Sequence, residues 1–246
     1  MKNYLANMFW GPANHDEFTK GIQHAINQVA PHGIFTGDNI FTFGRNLSFL
    51  DDKKFITAFT KHVETDVEKA IIWRINILCW AANQSLRIKG DFVECACYKG
   101  ISARIICDYV EFDKSDKNYY LYDLFEHSDE MEHHSMPEHS ADLYSQVKQR
   151  FNDLPQVHIT RGAVPDVLHQ VSPEKIAFLH LDLNNSAAEL GALELLFDRV
   201  STGGIIILDD YGWLAYRAQK EAEDPFFEKH GYRVLELPTG QGLVIK

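Results

Sequence analysis

The sequence predicts an α/β protein, a mostly parallel sheet that finishes with an antiparallel strand and follows a region of helices. Three observations predict it. From Gly90 onward, short apolar runs alternate with amphipathic stretches, the rhythm of strand, crossover helix and parallel strand. The last two apolar runs, YRVLELP and GLVIK, are separated only by Thr239-Gly240-Gln241, which leaves room for nothing but an antiparallel hairpin. Before Gly90 the apolar spacing is helical.

The elements follow in order. DEFTKGIQHAINQVA places Phe18, Ile22, Ala25, Ile26 and Val29 on one helical stripe. HGIFTGDNIFTFGRN reads as a loop rich in Gly, Asn and Phe, and DDKKFITAFTKHV as a helix opened by paired aspartates. DVEKAIIWRINILCWAANQSL is the longest and most apolar helix of this half, in which Trp73 and Arg74 are expected to be structural. Strands are expected at DFVECA, NYYLYD, QVHIT, KIAFLHLD, GGIIILDD, GYRVLELP and QGLVIK, and helices at about 101–112, 139–152, 163–170, 186–199 and 214–230. This gives two regions, a helical cap over 1–89 and a sheet domain over 90–246.

Composition narrows the function. The chain has 246 residues and a formal net charge of −11, a field that repels a phosphate backbone and argues against nucleic-acid binding. No run reaches the roughly 18–20 apolar residues of a membrane helix, and the N-terminus lacks the pattern of a signal peptide. Cys79, Cys95, Cys97 and Cys107 lie in hydrophobic segments without CxxC spacing, as buried small hydrophobes do. A cytoplasmic protein that meets small molecules is the expectation.

In an open parallel sheet, ligands bind beyond the carboxyl ends of the strands. The first strand runs into Glu94-Cys95-Ala96-Cys97-Tyr98-Lys99-Gly100-Ile101-Ser102, a turn followed by a helix whose N-terminal N–H groups face a ligand. The second ends on Asp123, which suits the two hydroxyls of a ribose or, equally, a turn or helix cap. The third leads to Gly162 and Ala163, the fourth ends His180-Leu181-Asp182, and the fifth Asp209-Asp210. Three carboxylates drawn together at neighbouring strand ends repel unless a cation neutralises them, and hard oxygen donors suit Mg²⁺, with Mn²⁺ as a substitute.

The stretches GDFVECACYKG, YLYDLFE, ITRGAVPDVL, KIAFLHLDLN and STGGIIILDDYG resemble the macrocin O-methyltransferase type of class I, S-adenosylmethionine-dependent enzymes. The resemblance runs from about Gly90 to the C-terminus and implies a Rossmann-like methyltransferase sheet. It implies that Glu94, Cys95, Ala96, Tyr98, Gly100 and Ser102 surround the methionine part of S-adenosylmethionine. Asp123 would then take the ribose, Gly162 and Ala163 would border the adenine, and Asp182, Asp209 and Asp210 would bind magnesium. The implied activity is methyl transfer to a hydroxyl of a sugar-containing small molecule, as in natural-product or glycan modification. The sequence departs from the family where Ala96 and Ile101 replace small residues, usually glycine at 96. It departs again where Asn184 and Ser186 stand in place of an acidic and aromatic pair.

HSDEMEHHSMPEHS carries four of the twelve histidines. Its irregular spacing and lack of cysteine favour a lid over a zinc site, with His127, His133 or His134 as general base. His180 is a second base candidate, Asp182 a third catalytic group. A homodimer through the aromatic N-terminal region is expected. The alternatives are a metal-independent methyltransferase, a non-catalytic binding protein that kept the fold, and a nicotinamide-dependent oxidoreductase, against which the missing GxGxxG speaks.

Overall fold

The structure, a computed structural model, describes residues 2–127 and 135–246. The chain divides into two units, Met1–Ile77 and Leu78–Lys246.

The first unit contains β1 (Tyr4–Leu5), α1 (His15–Ile26), β2 (Phe35–Gly37), β3 (Ile40–Thr42), α2 (Lys53–His62), α3 (Asp66–Ala70) and the start of α4 (Ile72–Ser85). The expected loop at 32–46 instead contains a small sheet, ordered β1-β2-β3. Asp38 and Asn39, both at positive φ (51° and 58°), make the two-residue turn between β2 and β3. The long apolar helix is interrupted at Ile71, which ends α3. Asn14 caps α1 by accepting from the Glu17 N–H at 3.1 Å, yet no residue of that helix is buried. Phe35 packs against Trp73 and Phe49, and Arg74 grips the buried Asp38 with two hydrogen bonds of 2.7 and 3.1 Å, the structural role expected of Trp73 and Arg74.

The second unit runs β4 (Asp91–Cys95), α5 (Ile101–Val110), β5 (Tyr119–Asp123), α6 (Leu143–Arg150), β6 (Val157–Arg161), β7 (Ile176–Leu181), α7 (Ser186–Leu196), β8 (Val200–Leu208), α8 (Arg217–Lys229), β9 (Leu235–Glu236) and β10 (Gly242–Ile245). Its seven strands lie in the order β6-β5-β4-β7-β8-β10-β9. The five from β6 to β8 are parallel and β10 runs antiparallel to both its neighbours, as the hairpin predicted. One face buries Val93, Leu179, Leu181, Ile206 and Leu208 against Leu193, Leu196 and Phe227 of α7 and α8. On the other, Phe92 meets Phe112, Tyr119 and Phe178 ring to ring. The helix expected at 163–170 is only a 3-10 turn, Asp166–His169, because Pro165 supplies no N–H and restricts the residue before it. All four cysteines are free and buried. Among the described residues, no helix is long and apolar enough to cross a membrane.

Candidate active site

Strand order reverses at β4, whose neighbours are β5 and β7, so the crevice beyond its carboxyl end is where a ligand belongs. The loop leaving β4 is built by backbone bonds. Ala96 and Cys97 N–H both donate to the Tyr122 carbonyl, at 2.8 and 3.1 Å, and three residues take positive φ: Ala96 (67°), Tyr98 (47°) and Gly100 (67°). Gly100 is required for a second reason. A Cβ there would stand 2.8 Å from the Phe151 ring, so this glycine admits a neighbouring helix end rather than a ligand. It is also the N-cap of α5, and no side chain caps that helix, which leaves its first-turn N–H groups, beside Ser102, for an anionic or polar ligand.

Asp123 lies beside this loop and holds it. One carboxylate oxygen accepts the Tyr98 N–H at 2.7 Å and the other accepts the Phe125 N–H at 2.6 Å, while its carbonyl accepts from Gly162 at 3.0 Å. A carboxylate in this position is the acceptor type that a ribose hydroxyl needs, which suits the nucleoside part of S-adenosylmethionine. Ala163 is exposed, and Gly162 has no room for a Cβ, which would meet Val167 at 2.9 Å. Cys95 is wholly buried, and burial pushes its thiol far above the usual range, so it is packing and not a nucleophile. Glu94 is buried in the sheet, where Oε2 accepts from the Tyr119 hydroxyl at 2.6 Å.

Next to Glu94 in register is His180, at 1% exposure the most buried histidine of the strand ends. Its Nδ1 lies 3.6 Å from Glu94 Oε1 and its Nε2 3.5 Å from Asp209 Oδ1. Burial opposes a charge on the ring, but the carboxylates of Asp209 and Glu94 outweigh it and hold the pKa well above the ordinary histidine value. His180, Asp182 and Asp209 can each offer a ligand atom within 4.8 Å of the others. Asp209 Oδ1 is already fixed by the Gln241 side-chain N–H at 2.8 Å, and Thr239 in turn donates to Gln241 at 3.0 Å. Two carboxylates beside a histidine make a donor set that fits a divalent cation. Asp210, buried and adjacent in sequence, is not within that group.

His133 and His134 lie outside the described residues. The end of the same insert is placed: the Glu138 N–H donates to the Tyr98 hydroxyl at 3.0 Å, Lys99 pairs with Glu138 at 3.2 Å, and His139 meets the Tyr98 ring edge-on. Sequence reasoning missed Tyr119, Thr239 and Gln241. Tyr119 opens its strand and Gln241 sits in a hairpin, so neither occupies a strand end where a search for ligands looks.

The model of the macrocin-O-methyltransferase (TylF) family matches residues 76–233. No curated protein matches the sequence at comparable significance. Among solved structures, the O-methyltransferase NovP is similar at 18% identity over 72% of this chain and 81% of its own, with a TM-score of 0.62. The calicheamicin methyltransferase CalS11 is similar at 11% identity over 96% and 93%, with a TM-score of 0.59. The methyltransferase PaMTH1 of Podospora anserina, solved with S-adenosylhomocysteine bound, is similar at 13% identity over 94% and 96%, with a TM-score of 0.55.

Proposed function

This chain belongs to the macrocin-O-methyltransferase (TylF) family of S-adenosylmethionine-dependent O-methyltransferases, and we propose that its acceptor is a hydroxyl of a sugar-containing small molecule, presented at a Mg²⁺ site. The observation that carries the metal is the meeting of Asp182 and Asp209, with His180, at the ends of β7 and β8 beside the β4 loop. The sugar rests on the family and on the substrate named for one structural neighbour. CalS11 is a TDP-rhamnose 3′-O-methyltransferase.

In this reading Asp123 and the β4 loop hold the cofactor, which supplies an electrophilic methyl group. Asp182 and Asp209 would hold the cation, which would supply Lewis acidity to a bound hydroxyl; the resemblance adds Asp210, which lies next to Asp209 in sequence but outside that group, and Mn²⁺ has the same donor preference. Gln241 keeps Asp209 oriented from behind. Asp182 is only half-buried and is the carboxylate best able to take the departing proton. His180, set between Glu94 and Asp209 at 3.6 and 3.5 Å, positions both carboxylates. Orientation of the acceptor oxygen toward the methyl group supplies much of the remaining rate.

One observation favours a second reading, a metal-independent methyltransferase: His180 lies between Glu94 and Asp209, where a protonated ring would neutralise part of the acidic group without any ion. Titration calorimetry with S-adenosylhomocysteine, followed by methyl-transfer assays on hydroxylated sugar acceptors with Mg²⁺ or with chelator, separates the two. Activity lost on chelation and in Asp209→Ala supports the metal. Activity indifferent to chelation assigns the neutralising role to His180 alone.

A further inference from the structure

Behind the aspartates, α7 and α8 enclose an acidic pair that methyl transfer does not use. Glu189 and Glu223 are 1% and 0% exposed and lie close enough to perturb each other's ionisation. Glu189 Oε1 accepts the Leu183 N–H at 3.0 Å. Among the described residues, neither oxygen of Glu223 accepts from an N–H or O–H donor. Gln219, one turn earlier on α8 and also buried, lies near Glu189, but its amide makes no hydrogen bond among the described residues. Around Glu223, Lys220 favours a negative charge while Asp210 and Asp224 oppose it, and Lys220 is itself engaged with the Tyr211 hydroxyl at 2.5 Å.

Two buried carboxyl groups side by side cannot both ionise, and an unpaired buried carboxylate is costly. Burial pushes both upward, which favours a proton shared between them. An O–H of one donating to the other would tie α8 to α7. Through the Leu183 N–H the pair also reaches the turn after β7, where Asn184 takes a positive φ of 53° and Asn185 caps α7 by accepting from Ala188 at 3.0 Å. That turn carries Asp182.

We propose that Glu189 and Glu223 are positioning residues, a proton-sharing clamp that fixes the Asp182 turn and locks α8 onto α7. The metal half of this inference rests on the proposed aspartate site; the clamp itself does not. A carboxyl group held protonated by the fold contributes stability at low pH that is lost as pH rises through its folded pKa.

The test is thermal unfolding of the full chain from about pH 6 to about pH 9, with chelator, for wild type, Glu223→Gln and Glu223→Leu. The wild-type Tm should fall with rising pH relative to that of Glu223→Gln, whose amide is a permanent donor. Glu223→Leu should raise the Mg²⁺ concentration for half-maximal methyl transfer by about tenfold, with S-adenosylhomocysteine affinity unchanged and Glu223→Gln near wild type. Parallel pH curves for wild type and Glu223→Gln overturn the clamp, as does a potassium-specific rise in Tm at high pH, which would assign the pair to a cation. If Glu223→Leu does not fold, the Glu223→Gln comparison decides. If wild-type activity ignores chelation, the metal reading fails while the pH comparison still decides the clamp.

Discussion

At the scale of residues, Ala96 is where sequence and structure meet most directly. The resemblance puts glycine at this position, and the structure gives the alanine a φ of 67°, a conformation that costs an L-residue about 1–2 kcal/mol. Ala96→Gly recovers that cost and loses some to the entropy of the unfolded chain. A net gain of about 0.5–1 kcal/mol is expected, read as a Tm raised by a few degrees. A lower Tm would show that the methyl group packs better than the strain costs. Asp123 makes the opposite case. Asp123→Asn must turn an amide N–H against a backbone donor, losing one charge-assisted bond of about 1.5–3 kcal/mol and slackening the β4 loop. S-adenosylhomocysteine affinity measured by calorimetry should fall by about tenfold or more, since 1.4 kcal/mol is a factor of ten. Asp123 was legible as a strand-ending carboxylate. Its grip on Tyr98 and Phe125 was not, because one of those partners is 25 positions away in the chain.

At the scale of elements, what the sequence showed depended on whether one residue could overrule a pattern. Strands β7 and β8 announce themselves by their apolar runs, IAFLHL and GGIIIL, and the wide-spaced helices by their stripes. Pro165 cancels the helix expected at 163–170, and the β2–β3 hairpin hides because its turn is Asp38-Asn39 with no glycine in the middle. Asp and Asn tolerate positive φ through local side-chain bonding, so the turn forms without that signal. That hairpin depends on a buried ion pair. Arg74→Ala leaves Asp38, 3% exposed, without its bidentate partner, and should destabilise the protein by about 3–5 kcal/mol in denaturant unfolding. Arg74→Lys keeps the charge but not the fork of donors, and should recover only part of the loss. A near-neutral Arg74→Ala would mean that Trp10, whose ring N–H lies 3.2 Å from Asp38, suffices to hold the turn.

At the scale of the molecule, the strand order fixes which functions share a neighbourhood. The groups proposed for the cofactor hang from β4 and β5, on one side of the reversal, and the aspartates end β7 and β8 on the other. A direct tie between them is a backbone bond, from the Asp182 N–H to the Cys95 carbonyl at 3.1 Å, which needs no cation to form. Cofactor binding should therefore survive removal of metal. At a hundred times its dissociation constant, S-adenosylhomocysteine adds about 2.7 kcal/mol to stability, or roughly 5–10 °C in Tm for a chain of this size. Scanning fluorimetry should find the same shift with Mg²⁺ and with chelator, even where methyl transfer is lost. A shift that vanishes on chelation would mean the cation completes the cofactor site, and the separation by strand, however plain in the topology, would not be a separation of function.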